Sequence, residues 1–387
     1  MMLPQEDNSI FSSRTLRQID WVLLGAAFAL CVLGVLFIWS ASFRLSEQEG
    51  DWRPTTQPLR QIAWLGLSLA VFILMVAVPY RVFMRLSYLF YVLGMALLVG
   101  VLFLPSIKNV HRWYSFGGIL FQPSEHMKVV LVMTLARYLM YRENYRTLPG
   151  LVGPFILTLV PLVLVLKEPD LGTALIFLPI LFALLYVAGA RRKHLLAILF
   201  IGLASVPILY TCVLEDYQRE RLRSFVNPAG HTGNIDAGSY QVVNSVTAVA
   251  SGGFTGKGWG RGPQNLFGFI PADTTDFIFA IFAEEWGFLG AILLFFLYFL
   301  IFSCGLSIAR FTREPYGRLV AVGVVVMWAV QVFINIGMTV QLMPVTGLPL
   351  PFMSYGGSSL LSSFIALGLL INVGRRRIPV LADEDFK

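Results

Sequence analysis

Charged residues are scarce in this chain, and their scarcity excludes an ordinary soluble domain. Only 13% of the 387 residues are charged, whereas 57% are hydrophobic, and the mean hydropathy is +0.72. A soluble globular domain carries about 25% charged residues. The chain is also long enough for many membrane spans of about 20 residues each. The composition therefore predicts an all-α polytopic integral membrane protein.

Cysteine and histidine are also few, and neither is spaced as a site requires. The three cysteines each lie in or beside a separate apolar run, which excludes a disulfide framework or a zinc site. They are Cys31, Cys212 and Cys304. The four histidines lack metal-ligand spacing and a nucleophile partner, and they are His111, His126, His194 and His231. No G-x-S-x-G motif is present, so covalent acyl transfer has no support. No organic cofactor is predicted. The net charge of +7 is scattered over the ends of the runs, so no nucleic-acid partner is predicted.

Apolar runs recur along the chain and predict about ten transmembrane helices. The eighth run is overlong, and we expect its helix to protrude from the bilayer. The first run exceeds the roughly 7–15 residues of a signal-peptide core, so we expect an uncleaved span. The runs cover residues 21–41, 61–79, 86–104, 127–141, 150–166, 171–190, 194–214, 275–309, 317–342 and 356–373.

The connections between these runs alternate in character, which predicts an orientation. Short basic connections lie near residues 81–85, 137–146, 191–193, 310–318 and 375–377. By the positive-inside rule they are cytoplasmic, and so are both termini. Tails 1–20 and 375–387 then flank a membrane domain of residues 21–374. The polar loops face outwards, and we expect any chemistry there. The largest runs from about 215 to 274, between helices 7 and 8.

The segment Ile270–Gly290 places an acid, Asp276, where the largest loop turns into an apolar helix. We expect Thr274 or Thr275 to cap that helix and Asp276 to lie in its first turn. Helix N-termini stabilise anions, so Asp276 is expected to stay ionised, as a proton acceptor must. The helix also carries Glu284 and Glu285, and acids at membrane depth are costly and often functional. The alternative is a capping aspartate with two structural glutamates.

Two shorter segments carry further charges. In QPSEHMK, Glu125 and Lys128 share one helix face at the start of the fourth span. They form either an ion pair that lowers the cost of two charges near the membrane or the rim of an outward-facing cavity. In KEPDLGT, Asp170 lies in a tight turn between spans. It is either a solvated charge or a second carboxylate near Asp276, which serves a divalent cation or positions a substrate.

The segment SGGFTGKGWGRG, residues 251–262, is rich in glycine and carries Lys257 and Arg261. It is not a Walker A loop, because Gly258 follows Lys257 where that motif needs Ser or Thr. Its backbone N–H groups and two cations can still surround a phosphate. A flexible surface loop is the alternative.

Taken together, these segments resemble the SEDS proteins (shape, elongation, division and sporulation). The resemblance rests on NVHRWYSFGGILFQPSEHMK, KEPDLGT, ASGGFTGKGWGRGPQ, TTDFIFAIFAEEWGFLG, NIGMTVQLMPVTGLPLPFMSYGGSS and the ten-span layout. It extends from about Trp21 to Arg377. The GKGW segment and the short termini are more similar to the RodA branch than to the FtsW branch.

This resemblance implies a peptidoglycan glycosyltransferase that polymerises lipid II on the outer face of the bacterial cytoplasmic membrane. It implies that Asp276 is the essential acid, that Glu125 and Lys128 are the cavity pair, and that Asp170 is the acid of the conserved turn. It also implies a class B penicillin-binding protein as partner and dependence on a divalent cation, Mg²⁺ or Mn²⁺. The family usually has a glutamate and a histidine upstream of TDFIFA, where this chain has Ala272 and Thr274. Any contribution from those two side chains is absent or altered here.

The residues and the resemblance fit one mechanism, in which Asp276 deprotonates an acceptor hydroxyl that displaces a lipid-linked pyrophosphate with inversion. A positioned base contributes typically about 10²–10⁴-fold. The charge on the leaving group must be met by cations or a metal, and the candidates are Arg112, Lys128, Lys257 and Arg261.

Two other functions compete with this one. One is a flippase or transporter of the lipid-linked precursor, which the clustering of polar loops on one side disfavours. The other is a scaffold for the penicillin-binding protein, in which Gly287 and Gly290 let helices approach closely.

Overall fold

A computed structural model describes most of the chain, and helices dominate the described part. It describes residues 20–42, 56–105, 110–117, 119–141, 146–212, 237–270 and 274–375, together with residues 218, 219, 222 and 225. Outside the described residues lie most of both predicted tails, His231, Ala272 and parts of the largest loop.

Helices lie at all ten of the predicted runs. Two additional short elements of helix, α8 and α9, fall inside the loop that was expected to join the seventh and eighth spans. The helices are α1 (Trp21–Ser42), α2 (Gln57–Ala77), α3 (Tyr80–Val101), α4 (Pro123–Met140), α5 (Leu148–Lys167), α6 (Leu171–Ala188), α7 (Arg192–Cys212), α8 (Ala237–Ser251), α9 (Pro263–Leu266), α10 (Ile278–Phe311), α11 (Pro315–Thr339) and α12 (Gly357–Arg375).

Eight of these helices are long and apolar enough to cross a membrane. They are α1, α2, α3, α5, α6, α10, α11 and α12. Among the other four, α4 carries Glu125, Lys128 and Arg137 within its 18 residues. Within the described residues, the only strands are β1 (Tyr114–Phe116) and β2 (Ile119–Phe121), which pair antiparallel with Tyr114 opposite Phe121.

The core of the bundle is built around α11 and α12, which are the most enclosed of the spans, whereas α3 faces outwards along most of its length. Trp328 of α11 is fully buried and packs edge-on against Phe352, with ring centroids 5.2 Å apart. Many apolar side chains on the outer helices remain exposed. An apolar exterior around a packed interior is what a lipid-facing bundle requires.

The overlong eighth helix is present as α10, which spans 34 residues, but it is kinked at Gly287, which was not predicted. The backbone there has φ 63° and ψ −156°, a conformation that is essentially restricted to glycine. A Cβ at Gly287 would lie 2.3 Å from the backbone nitrogen of Gly256. The kink therefore lets the loop before α9 contact α10 closely. The expected close approach of helices at Gly287 is wrong, because this loop lies there. Gly290 faces Trp286 and Phe282 of its own helix.

The segment 340–356, between α11 and α12, is non-helical and is tied to three helices. Tyr298 of α10 donates its hydroxyl to the Pro351 carbonyl at 2.7 Å, and Gln61 of α2 donates to the Ser354 carbonyl at 3.2 Å. Gly34 of α1 leaves room for Met353, whose carbonyl oxygen would lie 2.4 Å from a Cβ at that position. Segment 340–356 is therefore a fixed part of the bundle, and the candidate site is built against it.

Candidate active site

Asp276 lies in a turn immediately before α10 and is half-buried. The capping prediction was wrong, because the N-cap residue is Phe277 and it makes no side-chain capping hydrogen bond. The helix begins at Ile278, so Asp276 stands two residues before the first helical residue rather than within the first turn. The phenyl ring of Phe277 is buried in a small apolar cluster with Ile270 and Met338, which anchors this turn. Asp276 is therefore placed by packing and by backbone contacts rather than by a cap.

Two backbone contacts hold the turn that carries Asp276. The Tyr355 N–H donates to the Thr274 carbonyl at 2.9 Å. Asn335 Nδ2 of α11 donates to the Asp276 carbonyl at 2.9 Å and to the Leu348 carbonyl at 2.7 Å. Both contacts connect the turn to segment 340–356 or to the helix before it.

Glu125 and Lys128 form the predicted ion pair at the start of α4. Lys128 Nζ lies 2.9 Å from Glu125 Oε2, and both residues are almost completely buried. Lys128 Nζ also donates to Gln331 Oε1 at 3.1 Å, and Gln331 Nε2 donates to the Pro349 carbonyl at 2.7 Å. The pair is thus a buried element of the network rather than a charge on an open rim, because each charge has its partner inside the protein.

Asp170 caps the first turn of α6. Its Oδ1 accepts from the Thr173 N–H at 3.2 Å, and its Oδ2 accepts from the Thr173 hydroxyl at 3.0 Å. Oδ2 also accepts from Gln122 Nε2 at 3.0 Å and from the Ser124 hydroxyl at 3.1 Å. Four donors on one buried carboxylate fix the KEPDLGT turn against the start of α4. The alternative of a solvated charge was wrong, because this carboxylate is buried, and its role as a metal ligand stays a prediction.

Arg112 and Glu168 meet beneath the β-hairpin. The Arg112 Nε donates to the Glu168 carbonyl at 2.7 Å, and an Nη2 contact reaches the Pro169 carbonyl. Arg112 therefore clamps the hairpin onto the KEPDLGT turn. The Glu168 carboxyl is fully buried, and neither oxygen has a hydrogen-bond partner among the described residues. Burial, together with the charge of Asp170, raises the pKa of Glu168 to about 9, so this side chain is protonated at neutral pH.

The glycine-rich segment 251–262 does not form the predicted phosphate cradle. The Lys257 N–H donates to the Glu284 carbonyl at 3.1 Å, and the Gly258 N–H donates to the Glu285 carbonyl at 2.9 Å. Lys257 Nζ pairs with Glu284 Oε1 at 3.0 Å. These two N–H groups and the Lys257 ammonium therefore bind Glu284 and Glu285 of α10, just before the kink at Gly287.

The two glutamates of α10 contact neighbouring elements of the fold. Glu284 balances Lys257, and Glu285 Oε1 accepts from the Ser40 hydroxyl of α1 at 2.6 Å and from Asn265 Nδ2 of α9 at 3.2 Å. Both glutamates are almost completely buried. They join α1, α9 and the glycine-rich segment to α10. Arg261 of the same segment is exposed.

An apolar cavity of about 190 Å³ opens beside α4, between α2, α3 and α12. His126, for which the sequence predicts no role, reaches this cavity and stacks on Phe121 with ring centroids 4.7 Å apart. Its Nε2 is buried without a hydrogen-bond partner among the described residues. The cavity is lined by Met75, Phe83, Phe90, His126, Val129, Val130, Met133 and Ile365.

The predicted site residues divide into two groups. Glu125 and Lys128 reach segment 340–356 through Gln331, and Asp276 reaches the same segment through Asn335. Asp170 joins through the start of α4, and Arg112 joins through the turn that precedes Asp170. Lys257 belongs to a separate cluster with Glu284, and Arg261 is an exposed residue of the same glycine-rich segment. The described residues contain no group of three or more His, Cys, Asp or Glu side chains that could hold a metal ion.

Sequence reasoning missed Gln331, Asn335 and Glu168. A signal was present for the two amides, because they lie four residues apart in an apolar span and hence on one helix face. Polar side chains in a span usually bond to another helix or line a site. Glu168 gave no such signal, since a carboxylate in a short polar turn is ordinarily solvated.

The fold and the site define a multi-pass membrane protein whose polar site is built from helix ends and the segments that connect them. The chain belongs to the FTSW_RODA_SPOVE family, described as "Cell cycle protein", whose model matches residues 20–378. The SEDS resemblance is therefore confirmed.

Similar proteins agree with this assignment. The Escherichia coli (strain K12) protein named "Peptidoglycan glycosyltransferase MrdB" is 33% identical over 360 residues, which cover 93% of this chain and 94% of that protein. A solved structure titled "Structural coordination of polymerization and crosslinking by a peptidoglycan synthase complex" matches with a TM-score of 0.79 and 32% identity, over 93% of this chain and 98% of that chain. The Thermus thermophilus rod shape determining protein RodA matches with a TM-score of 0.68 and 30% identity, over 93% and 98%. The similarity to RodA and MrdB agrees with the predicted RodA-like character.

Proposed function

We propose that this protein polymerises lipid II into glycan strands at the outer face of the cytoplasmic membrane. The observation that carries the proposal is the match of nearly the whole chain to relatives named peptidoglycan glycosyltransferases. The geometry supports it, because the acid at the end of the largest loop belongs to the same bonded network as the buried Glu125–Lys128 pair. A flippase or a scaffold would not require such an acid.

In the proposed reaction, Asp276 is the general base. Its carboxylate takes the proton from an acceptor hydroxyl while the hydroxyl oxygen bonds to the anomeric carbon of the donor sugar. The bond from that carbon to the lipid-linked pyrophosphate breaks, and the pyrophosphate leaves with the electron pair. One displacement inverts the carbon and requires no enzymic nucleophile, which agrees with the absence of a nucleophile motif.

The four predicted cations are not equally suited to meet the leaving pyrophosphate. Lys128 already balances Glu125, and Lys257 already balances Glu284. Arg261 is exposed, and Arg112 is half-buried and contacts carbonyl oxygens rather than a carboxylate. Arg112 and Arg261 therefore keep a net positive charge for a phosphate, whereas Lys128 and Lys257 serve mainly to neutralise buried acids. Arginine also suits phosphate because its guanidinium can bond in a bidentate manner.

A divalent cation, Mg²⁺ or Mn²⁺, remains part of the proposal, with Asp276 and Asp170 as its candidate ligands, and Asp170 Oδ1 accepts only the Thr173 N–H. Such an ion would supply positive charge near the departing pyrophosphate. Polymerisation in EDTA, compared with polymerisation after Mg²⁺ or Mn²⁺ is restored, tests this requirement. Full activity in EDTA would remove the ion from the proposal.

The remaining assignments follow the distribution of charge. We place ten spans in the membrane with both termini in the cytoplasm, so that the segments around Asp276 and Asp170 face outwards. A class B penicillin-binding protein is the proposed partner, because one similar structure is a complex that coordinates polymerisation with crosslinking. The apolar cavity beside α4 would accommodate part of a lipid tail.

The direct test is glycan-strand synthesis from purified lipid II by detergent-solubilised protein. Wild-type protein should form strands without any compartment, whereas a flippase or a scaffold would form none. Asp276→Asn should lower the rate by about 10²–10⁴-fold, the usual contribution of a general base. The matched control is Asp20→Asn, because Asp20 accepts from the Leu23 N–H at the start of α1, far from this network in sequence. Strand synthesis by Asp276→Asn at the wild-type rate would refute the role of Asp276.

A further inference from the structure

We infer that Asn335 is a positioning residue that sets the orientation of Asp276, and this inference rests on the proposed function. Asn335 lies in α11 and is fully buried. Its side-chain nitrogen contacts two backbone carbonyls that are far apart in the sequence, those of Asp276 and Leu348. Because a carbonyl oxygen only accepts hydrogen bonds, the amide nitrogen and not the amide oxygen must face both of them.

These contacts restrain the backbone on one side of Asp276. The carbonyl of Asp276 belongs to the peptide unit that enters α10, and Asn335 Nδ2 holds it at 2.9 Å. On the other side, the carbonyl of Thr274 is held by the Tyr355 N–H at 2.9 Å. The N-cap residue, Phe277, adds no side-chain capping hydrogen bond to these two bonds. The backbone that carries the Asp276 carboxylate is therefore restrained by α11 and by segment 340–356, and Asn335 supplies the bond from α11.

Asn335 also couples Asp276 to the other half of the site. Gln331, one turn earlier in α11, accepts from Lys128 Nζ at 3.1 Å and donates to the Pro349 carbonyl at 2.7 Å. Asn335 donates to the neighbouring Leu348 carbonyl at 2.7 Å. Two amides on one face of α11 thus hold consecutive carbonyls of segment 340–356, one connected to the buried ion pair and the other to the acid. The helix sets the distance between the two halves of the site.

The chain offers a matched control in Asn372 of α12. Asn372 is also buried, and its Nδ2 also bridges two backbone carbonyls, those of Met75 at 2.7 Å and Val78 at 2.5 Å. These carbonyls lie at the connection between α2 and α3, on the side that we assign to the cytoplasm. Substitution of either asparagine by leucine removes two bonds to backbone carbonyls and keeps the number and branching of the side-chain heavy atoms. Of the two asparagines, only Asn335 bonds to Asp276, through its backbone carbonyl.

The test compares Asn335→Leu with Asn372→Leu in lipid II polymerisation, with rates measured over a range of substrate concentrations. We expect Asn335→Leu to lower kcat by about 10–100-fold with little change in KM, because a misplacement of about 1 Å in a catalytic group can cost about 100-fold. Asn372→Leu should leave kcat close to wild type. Asn335→Ser, a smaller change that keeps one donor, should give an intermediate kcat and serves if the leucine variant does not fold.

The outcomes separate this inference from the proposed function. Equal losses of kcat in the Asn335 and Asn372 variants would show a structural role only and overturn the inference. A rise in KM at unchanged kcat, or wild-type kinetics in both Asn335 variants, would also overturn it. If wild-type protein forms no strands, the proposed function fails, and if Asp276→Asn is fully active, the role of Asp276 as the base fails first. An inactive Asp276→Asn beside a fully active Asn335→Leu would reject the positioning role alone.

Discussion

The buried pair of Glu125 and Lys128 allows a sharp prediction about stability. Substitution Lys128→Met removes the ammonium group and keeps an unbranched side chain of similar length. It leaves Glu125 buried without its cation and Gln331 Oε1 without its donor, since Lys128 Nζ lies 2.9 Å from one and 3.1 Å from the other. Breaking one side of a buried ion pair typically costs about 3–5 kcal/mol. We expect the free energy of unfolding to fall by that amount.

The double substitution Glu125→Gln with Lys128→Met should be less damaging than Lys128→Met alone. It removes the negative charge that the single variant leaves uncompensated, so most of the charge-burial penalty disappears. We expect the double variant to recover at least half of the stability that the single variant loses. The recovery would identify charge burial, rather than packing, as the main cost.

The assay is reversible unfolding in mixed micelles by titration with SDS, followed by tryptophan fluorescence. Arg81→Met is the matched control, because its partner Glu314 is 4.0 Å away and the Arg81 side chain is 68% exposed. An exposed pair contributes at most about 1 kcal/mol. If Lys128→Met costs no more than Arg81→Met, or if the double variant is less stable than the single one, the reasoning about buried charge is refuted.

Two other predictions concern Glu168 and Gly287. Between pH 4.5 and about 9, the folded chain binds one more proton at Glu168 than the unfolded chain does. The melting temperature should therefore fall as the pH rises through this window, and Glu168→Gln should flatten the fall. Identical pH profiles of the melting temperature for the two proteins would contradict the burial of a protonated acid. Gly287→Ala should abolish stable folding or lower the stability several times more than Gly66→Ala does, as measured by thermal unfolding. The reason is that a Cβ at Gly287 would lie 2.3 Å from the Gly256 nitrogen, whereas a Cβ at Gly66 would have nothing within 4 Å. Equal stability of the two alanine variants would show that the kink does not require glycine.

The helical organisation was largely readable from the sequence, because lipid-exposed spans need long apolar runs and connections marked by charge. All ten predicted runs coincide with helices within a few residues at most ends. The kink at Gly287 was not predicted, since a single glycine in an apolar run does not by itself indicate a break. The break exists because the glycine-rich segment, which is distant in sequence, occupies the space against α10.

The candidate site was predictable in its residue types and less so in its connections. The spacing of Glu125 and Lys128 was sufficient to place them on one helix face, and their ion pair is confirmed. The role of Lys257 as a phosphate cation was not supported, because its partner Glu284 lies 27 residues away and only the folded chain brings them together. Asn335 was missed for the same reason, since its two partners lie 59 and 13 residues from it.

The sequence by itself determined the class of protein, the places of the spans, the family and the acid at the end of the largest loop. These depend on local composition and on ordered motifs, which a linear chain displays directly. Only the tertiary structure decided which charges are neutralised inside the bundle, which carboxylates accept hydrogen bonds from buried donors, and which amides hold the turn of Asp276. Those properties depend on contacts between residues far apart in sequence, and such contacts exist only after the helices have packed.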